Sequence, residues 1–349
     1  MSCAKTLRLT RGLSAQPRIS SLSIRTILHS FMRSFLWLIL FSGLSCNSVC
    51  AEPFATRDQN PLLAGFGLPA PLPAGIASIP TWDAQFNWGS SAIVQDDASE
   101  HLTVDAETKE FRLVLAHALS EKWVARIQLP YREVSGGSLD SFIDDWHDWF
   151  GLPKGVRTQQ PHDRLLIDYS HDGANRLRIE DPSSGIADAT VDVGYRVTAS
   201  EQTKLMLWGS IKLPTGNADD LTGSGAFDES ITASIEHRFG TRWTVFAQAA
   251  GTHLGQGDLL SSQQKGFVAS AVAALSFVWT PSTEFTVQVD AHSAAFDSDV
   301  KFLGPAQILT LGGAHRFNSG WRLELGVSED IAVDASPDVV FVVRVSQDR

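Results

Sequence analysis

The residues of this chain that could do chemistry are its ten histidines and a large stock of carboxylates, guanidiniums and ammonium groups. Histidine is the first candidate for metal binding or proton transfer near neutral pH. Three of them, His117, His237 and His315, each stand two residues before the last apolar residue of an alternating block, on its apolar side. That position predicts interfacial side chains in a ring, not a reactive centre. His292 falls on a polar face beside Asp290, where an ordinary hydrogen bond is expected. His147, His162 and His171, with Asp140, Asp144, Asp145 and Asp148, are the remaining metal-ligand candidates, but they lack the fixed spacing that such sites show. No Gly-x-Ser-x-Gly pattern stands at a strand end, and Gly223-Ser224-Gly225 reads as turn glycine chemistry. No catalytic residue, metal or cofactor is assigned, and a lipid-hydrolysing enzyme is the most remote reading.

The charges are more informative than the histidines, because they recur every second residue. Arg126, Arg196, Lys204, Lys212, Glu236, Arg238, Asp290, Arg322, Glu324 and Arg344 all fall on the polar side of alternating blocks. Lys122–Arg132 sets Trp123, Ala125, Ile127, Leu129 and Tyr131 on one face and Lys122, Arg126, Gln128 and Arg132 on the other. Period-two alternation places such sets on opposite faces of a strand. The blocks run about ten to fourteen residues, longer than the five or six typical of soluble sheets. A bilayer needs strands of about 9–11 residues with one lipid face and one lumen face. The polar side therefore predicts a lumen, with charges of both signs paired across strands inside a narrow interior. Inward Trp208, Phe246, Val268, Val272, Val340 and Val342 add apolar patches to it.

Twelve such strands begin near residues 81, 108, 122, 187, 203, 227, 241, 266, 283, 307, 319 and 338. Short connections near 120, 200, 240, 281 and 319 alternate with long ones near 91–107, 134–186, 214–227, 255–265, 296–306 and 329–337. Short turns at one end and long loops at the other are the pattern of an up-and-down transmembrane barrel. Aromatic residues flank the short turns, among them Trp123, Phe239, Trp243, Trp279, Phe285, Phe317 and Trp321, as expected at the headgroup level. The fold expected is all-β, an antiparallel up-and-down barrel of about twelve strands. Fourteen is the alternative, if the hairpin signalled by Asp172-Gly173 reaches the membrane. Inside loop 134–186, Leu139, Phe142, Ile143, Trp146 and Phe150 recur at helical spacing. Two readings stay open: a helix that plugs the pore or rests on the outer leaflet, and simple packing on the barrel rim.

The ends bound the rest. Residues 1–51 read as a secretory signal peptide, with Arg33 before an apolar Phe35–Phe41 and a small Ala51 before Glu52; residues 1–31 look like an upstream extension from a misassigned start. Removing 1–51 takes away six of 28 basic residues, none of the 39 acidic ones and all three cysteines, leaving a net charge of −17. Such a chain has no footprint for nucleic acid and no disulfide. Residues 52–80 form a proline-rich lead, either a plug at the barrel mouth or a periplasmic tail; 81–349 is the barrel. Export, outer-membrane lipid, lipopolysaccharide and the barrel-assembly machinery are the partners this implies, in the outer membrane of a Gram-negative bacterium.

Several blocks resemble a known family. Thr56-Arg57-Asp58-Gln59-Asn60-Pro61 with Gly67-Leu68-Pro69, the block Trp146–Pro153 with Gly155 and Arg157, and Gly185–Asp188, Lys212–Gly216 and Leu221–Gly225 are similar to the proteobacterial domain of unknown function 3187. The last blocks also resemble barrels of the MetA pathway of phenol degradation. The resemblance implies an outer-membrane location and brings no catalytic residues. By the residues and the resemblance together, the first expectation is a passive channel or uptake protein for small, apolar or aromatic solutes. The alternative is a closed structural or surface-interaction barrel.

Overall fold

A computed structural model describes residues 52–77, 79–150 and 161–347. The presequence and the stretch 151–160 lie outside the described residues. The strands are β1 Thr81–Asp96, β2 Glu100–Ala118, β3 Trp123–Ser135, β4 Leu166–His171, β5 Ala174–Ile179, β6 Ser183–Ile186, β7 Thr190–Ala199 and β8 Thr203–Lys212. They continue with β9 Asp228–Phe239, β10 Trp243–Leu254, β11 Phe267–Thr280, β12 Thr283–His292, β13 Ala306–Arg316, β14 Trp321–Asp330 and β15 Val339–Gln347. One helix, α1 Asp140–Phe150, follows β3. Each of β7 to β15 pairs with the next, β3 pairs with β7 and β2, and β1 joins β2 to β15. The result is a closed antiparallel barrel of twelve strands, β1–β3 and β7–β15. Closure leaves no bare backbone edge, the condition for a sheet to cross hydrocarbon.

The three extra strands sit at the long-loop end. The β4–β5 hairpin turns on Asp172 and Gly173, both at positive φ, and pairs only with residues 100–105 of β2. Below that level β2 pairs with β3 through residues 107–118, so the hairpin never enters the ring, and the fourteen-strand alternative is overturned. The expected long loop at 91–107 is also corrected. β1 and β2 stay paired from Thr81↔Ala116 to Asp96↔His101, and only residues 97–99 turn the chain. Ile93, Leu102 and Val104 on this ribbon are buried in the apolar cluster at the long-loop end, which is why the pairing continues beyond the bilayer.

Alternation sorts the wall. Ile127 is 43% exposed on the outside while its neighbour Arg126 is 5% exposed within. At the short-turn end the outer face carries an aromatic belt. Trp82 packs on Trp321 (5.1 Å between ring centroids), Trp123 on Tyr195 (4.9 Å), Trp243 on Phe277 (4.7 Å) and Trp279 on Phe285 (5.4 Å). His237 and His315 join it against Phe239 and Phe317, each with its Nδ1 bonded to a threonine hydroxyl of the preceding strand.

The plug expectation for α1 is corrected. Leu139, Phe142 and Ile143 pack against Val339, Trp88, Val327 and Phe341, which occupy outward positions of β15, β1 and β14. Phe142 meets Phe341 edge-on at 5.6 Å. Trp146 and Phe150 belong to this helix, which lies on the outer wall. Glu107, an outward carboxylate of β2 that is 1% exposed, accepts bonds from the backbone of Ser138 and Leu139 and from Trp88 Nε1. A carboxylate at a helix N-terminus satisfies orphan N–H groups there. The turn that brings those groups to it requires Gly137 at φ +74°, where an added Cβ would fall within 1.8 Å of Glu107. The helix is outside because its apolar stripe needs cover and the lumen is already filled.

Candidate functional site

What fills the lumen is the proline-rich lead. Pro53, Pro61, Pro69, Pro71 and Pro73 remove five backbone donors from a segment that joins no ladder. The remaining donors and carbonyls must find partners on the wall, since a buried polar group left unpaired costs about 1–3 kcal/mol. Inward side chains supply them. Gln288 donates to Phe54 O at 3.0 Å and Arg112 to Ala55 O at 3.3 Å. Leu72 N donates to Gln248 at 2.8 Å, and Trp208 Nε1 donates to Pro73 O at 3.2 Å. Phe54 enters the wall where β13 and β14 carry Gly312 and Gly326. A Cβ on Gly326 would stand 2.9 Å from its ring.

The tightest part lies toward the long loops. Lys212 Nζ reaches Asp188 (2.7 Å), Asp228 (3.1 Å), the Ser224 hydroxyl and the carbonyl of Gly65 in the lead (3.1 Å). Asp188 also accepts from Gly216 N and Ser224 N, and Asp228 accepts from Gly67 N at 2.7 Å. Arg132 donates to Ala64 O, Leu221 O and Glu110. Arg57 of the lead donates to the carbonyls of Ala64, Phe66 and Leu68, folding the segment into a compact turn. Asn60 donates to Phe302 O at 2.7 Å, and Asp58 meets His292 at 3.0 Å. Leu62, Leu63 and Phe66 then seal this end against Leu102, Val104, Leu221, Phe296 and Phe302.

The charged residues singled out along the strands all occupy the inward face, in three groups. Arg322 pairs with Glu284 (2.7 Å) and Glu324 (2.8 Å), and Arg344 with Asp83 (3.3 Å) and Glu52 of the lead (3.4 Å). Asp290 accepts from Gln288 at 2.9 Å beneath the lead, and Lys212 belongs to the long-loop lock. Arg126, Arg196, Lys204, Glu236 and Arg238, together with the paired Arg344, line a cavity of about 410 Å³ at the short-turn end. Sequence reasoning did not find the lead's own polar residues, Arg57, Asp58 and Asn60, as wall contacts. Their signal was the recurrence of one polar residue after another in a proline-rich stretch, which composition alone reads as solvated. Among the described residues, no group of three or more histidine, cysteine or carboxylate side chains could hold a metal ion. His162 meets Asp144 at 3.4 Å and His171 meets Glu100 at 3.3 Å, at separate places.

A closed barrel with an apolar outer band, an aromatic belt and a charged, filled interior is a transmembrane barrel of the outer-membrane type. The chain belongs to the family described as Protein of unknown function (DUF3187), whose model matches residues 40–347. A comparison with curated protein sequences finds no match. Among solved structures, the chain is similar to the COG4313 outer membrane channel from Pseudomonas putida F1, with 14% identity and a TM-score of 0.52 over 79% of this chain and 98% of that one. The translocator domain of the autotransporter NalP from Neisseria meningitidis aligns with 11% identity and a TM-score of 0.42, over 93% and 98% of the two chains. The P. putida toluene transporter TodX aligns with 10% identity and a TM-score of 0.37, over 78% and 91%. The first of these shares the fold.

Proposed function

We propose that this protein is an outer-membrane channel for small solutes, apolar or aromatic in character, and that its own lead, residues 52–77, is the gate. One observation carries the reading. The barrier across the lumen is a strap joined covalently to the wall at β1 and held elsewhere by hydrogen bonds, ion pairs and apolar contacts. A wall built to stay closed has no need of a separable segment, since strand side chains alone can fill a small barrel. The buried apolar cluster of Leu62, Leu63, Phe66, Phe296 and Phe302 at the long-loop end supports an apolar or aromatic solute, because a solute passing the lead there must part these side chains.

The competing reading, a closed barrel that binds lipopolysaccharide or a partner through its loops, rests on the density of bonds holding the lead. Planar-bilayer recordings separate the two. The intact protein should give small or rare current steps, and a variant lacking residues 54–73 should give frequent and larger ones. Silence from both forms, with both inserted and folded, overturns the channel and leaves the structural barrel.

A further inference from the structure

The cavity at the short-turn end differs in charge from the rest of the molecule. It is lined by Arg126, Arg196, Lys204, Arg238 and Arg344 against only Glu52 and Glu236. Three of the cations are answered. Arg126 pairs with Asp192 at 3.3 Å, Lys204 with Glu236 at 3.0 Å, and Arg344 with Asp83 and Glu52. Arg196 and Arg238 have no ion pair among the described residues, and Arg196 Nε is buried without a hydrogen-bond partner. Elsewhere in this lumen, cations are matched by carboxylates: Arg322 has two, and Lys212 has two. Two spare guanidiniums in a strongly acidic protein call for a reason.

Register gives their geometry. Arg196 stands opposite Met206 of β8, and Lys204, two residues away on the same face, stands opposite Glu236. Arg238 is the next inward residue of β9. The two guanidiniums therefore spring from strands on either side of β8, offset by two strand spacings across the sheet and four residues along it, about 16 Å apart at the backbone. Their flexible arms can converge on one anion. Guanidinium forks match a carboxylate with two parallel bonds each. One row deeper the cavity turns apolar. Phe246 pairs with Glu236 across the sheet and packs with Ala74, Val272 and Ala274, and Ile76 and Pro73 add the lead's own surface. The volume of about 410 Å³ falls within the roughly 300–1,000 Å³ of small-molecule sites.

We infer that this cavity is a binding site for a small organic anion with an apolar or aromatic body, its carboxylate held by Arg196 and Arg238 and its body against Phe246 and the lead. The inference deepens the channel reading by naming the solute class at the inner end, and rests on it only for the idea that the occupant travels through. Binding itself is tested without conductance. The full folded protein in detergent is titrated by calorimetry with benzoate, benzyl alcohol and benzylamine at low ionic strength. Benzoate should bind at least tenfold more tightly than either analogue. Arg196→Gln combined with Arg238→Gln should weaken benzoate tenfold or more and leave benzyl alcohol unchanged. Phe246→Ala should weaken both. Equal binding of benzoate and benzyl alcohol, or benzoate binding that the double variant leaves untouched, overturns the proposal. So does failure of benzoate to bind a protein whose heat-modifiable migration shows it folded. None of these outcomes bears on whether deletion of 54–73 opens a pore, so the two ideas fail separately.

Discussion

The two ends of the lumen use the same residue types in opposite ways. Toward the long loops, Lys212 with Asp188 and Asp228, and Arg132 with Glu110, form two buried charged groups, each bonded to the lead. Toward the short turns, Arg196 and Arg238 are half-buried and lack carboxylate partners among the described residues. A buried charge stripped of its partner costs several kcal/mol, so the first set can be kept only as a network. A guanidinium near water carries little such penalty and can wait for an occupant. The difference separates charges that hold the gate from charges available to a solute.

The largest effect is expected from breaking the long-loop lock. Lys212→Met leaves Asp188 and Asp228 facing each other without their shared cation and should cost about 3–5 kcal/mol. Urea unfolding in lipid vesicles reads that loss, and protease cleavage within residues 52–77 should accelerate with it. A change below about 1 kcal/mol would erase the contrast between the two ends. Gly326→Val crowds the Phe54 ring and should cost about 1–3 kcal/mol as overpacking. Its distinctive sign is release of the lead, read by the same cleavage, while the lipid-facing strands keep their spectrum by circular dichroism. Gly137→Ala forces a positive-φ turn and a clash with Glu107, costing about 1–3 kcal/mol locally. Because α1 lies on the outer wall, current steps should not change, whereas a gating helix would alter them. The smallest effect is expected at the other end. Arg238→Gln should shift stability by no more than about 0.5 kcal/mol, since no ion pair is lost. A loss as large as that of Lys212→Met would show Arg238 to be structural and would weaken the anion site.

Much of the wall is legible in the residues themselves. Alternation in Lys122–Arg132 or Trp321–Val327 carries its own reading, because a strand can bury one face only if every second residue fits it. The expected starts of twelve strands agree with the ring to within a few residues except for β2, which begins at Glu100 instead of near 108. That miss has a cause. Residues 97–105 mix charged and apolar side chains as a solvated loop would, and only the cluster around Leu102 and Val104 makes pairing favourable there. The helix of the long loop was visible in Leu139, Phe142 and Ile143, but not its position. An apolar stripe states that a helix needs cover without stating what provides it. The lead was ambiguous for the opposite reason. Its prolines exclude sheet and helix but are equally compatible with a tail and with a strap.

By itself, then, the order of residues determined the barrel, its two faces and the level of its aromatic belt, since each follows from neighbours two positions apart along one strand. Only the tertiary structure decided that the lead occupies the lumen, that α1 lies outside it, and that Arg196 and Arg238 have no carboxylate partner among the described residues. Those outcomes depend on contacts between residues far apart in the chain, such as Gly65 with Lys212 and Pro73 with Trp208. They were settled by competition for one enclosed volume, which no local pattern records.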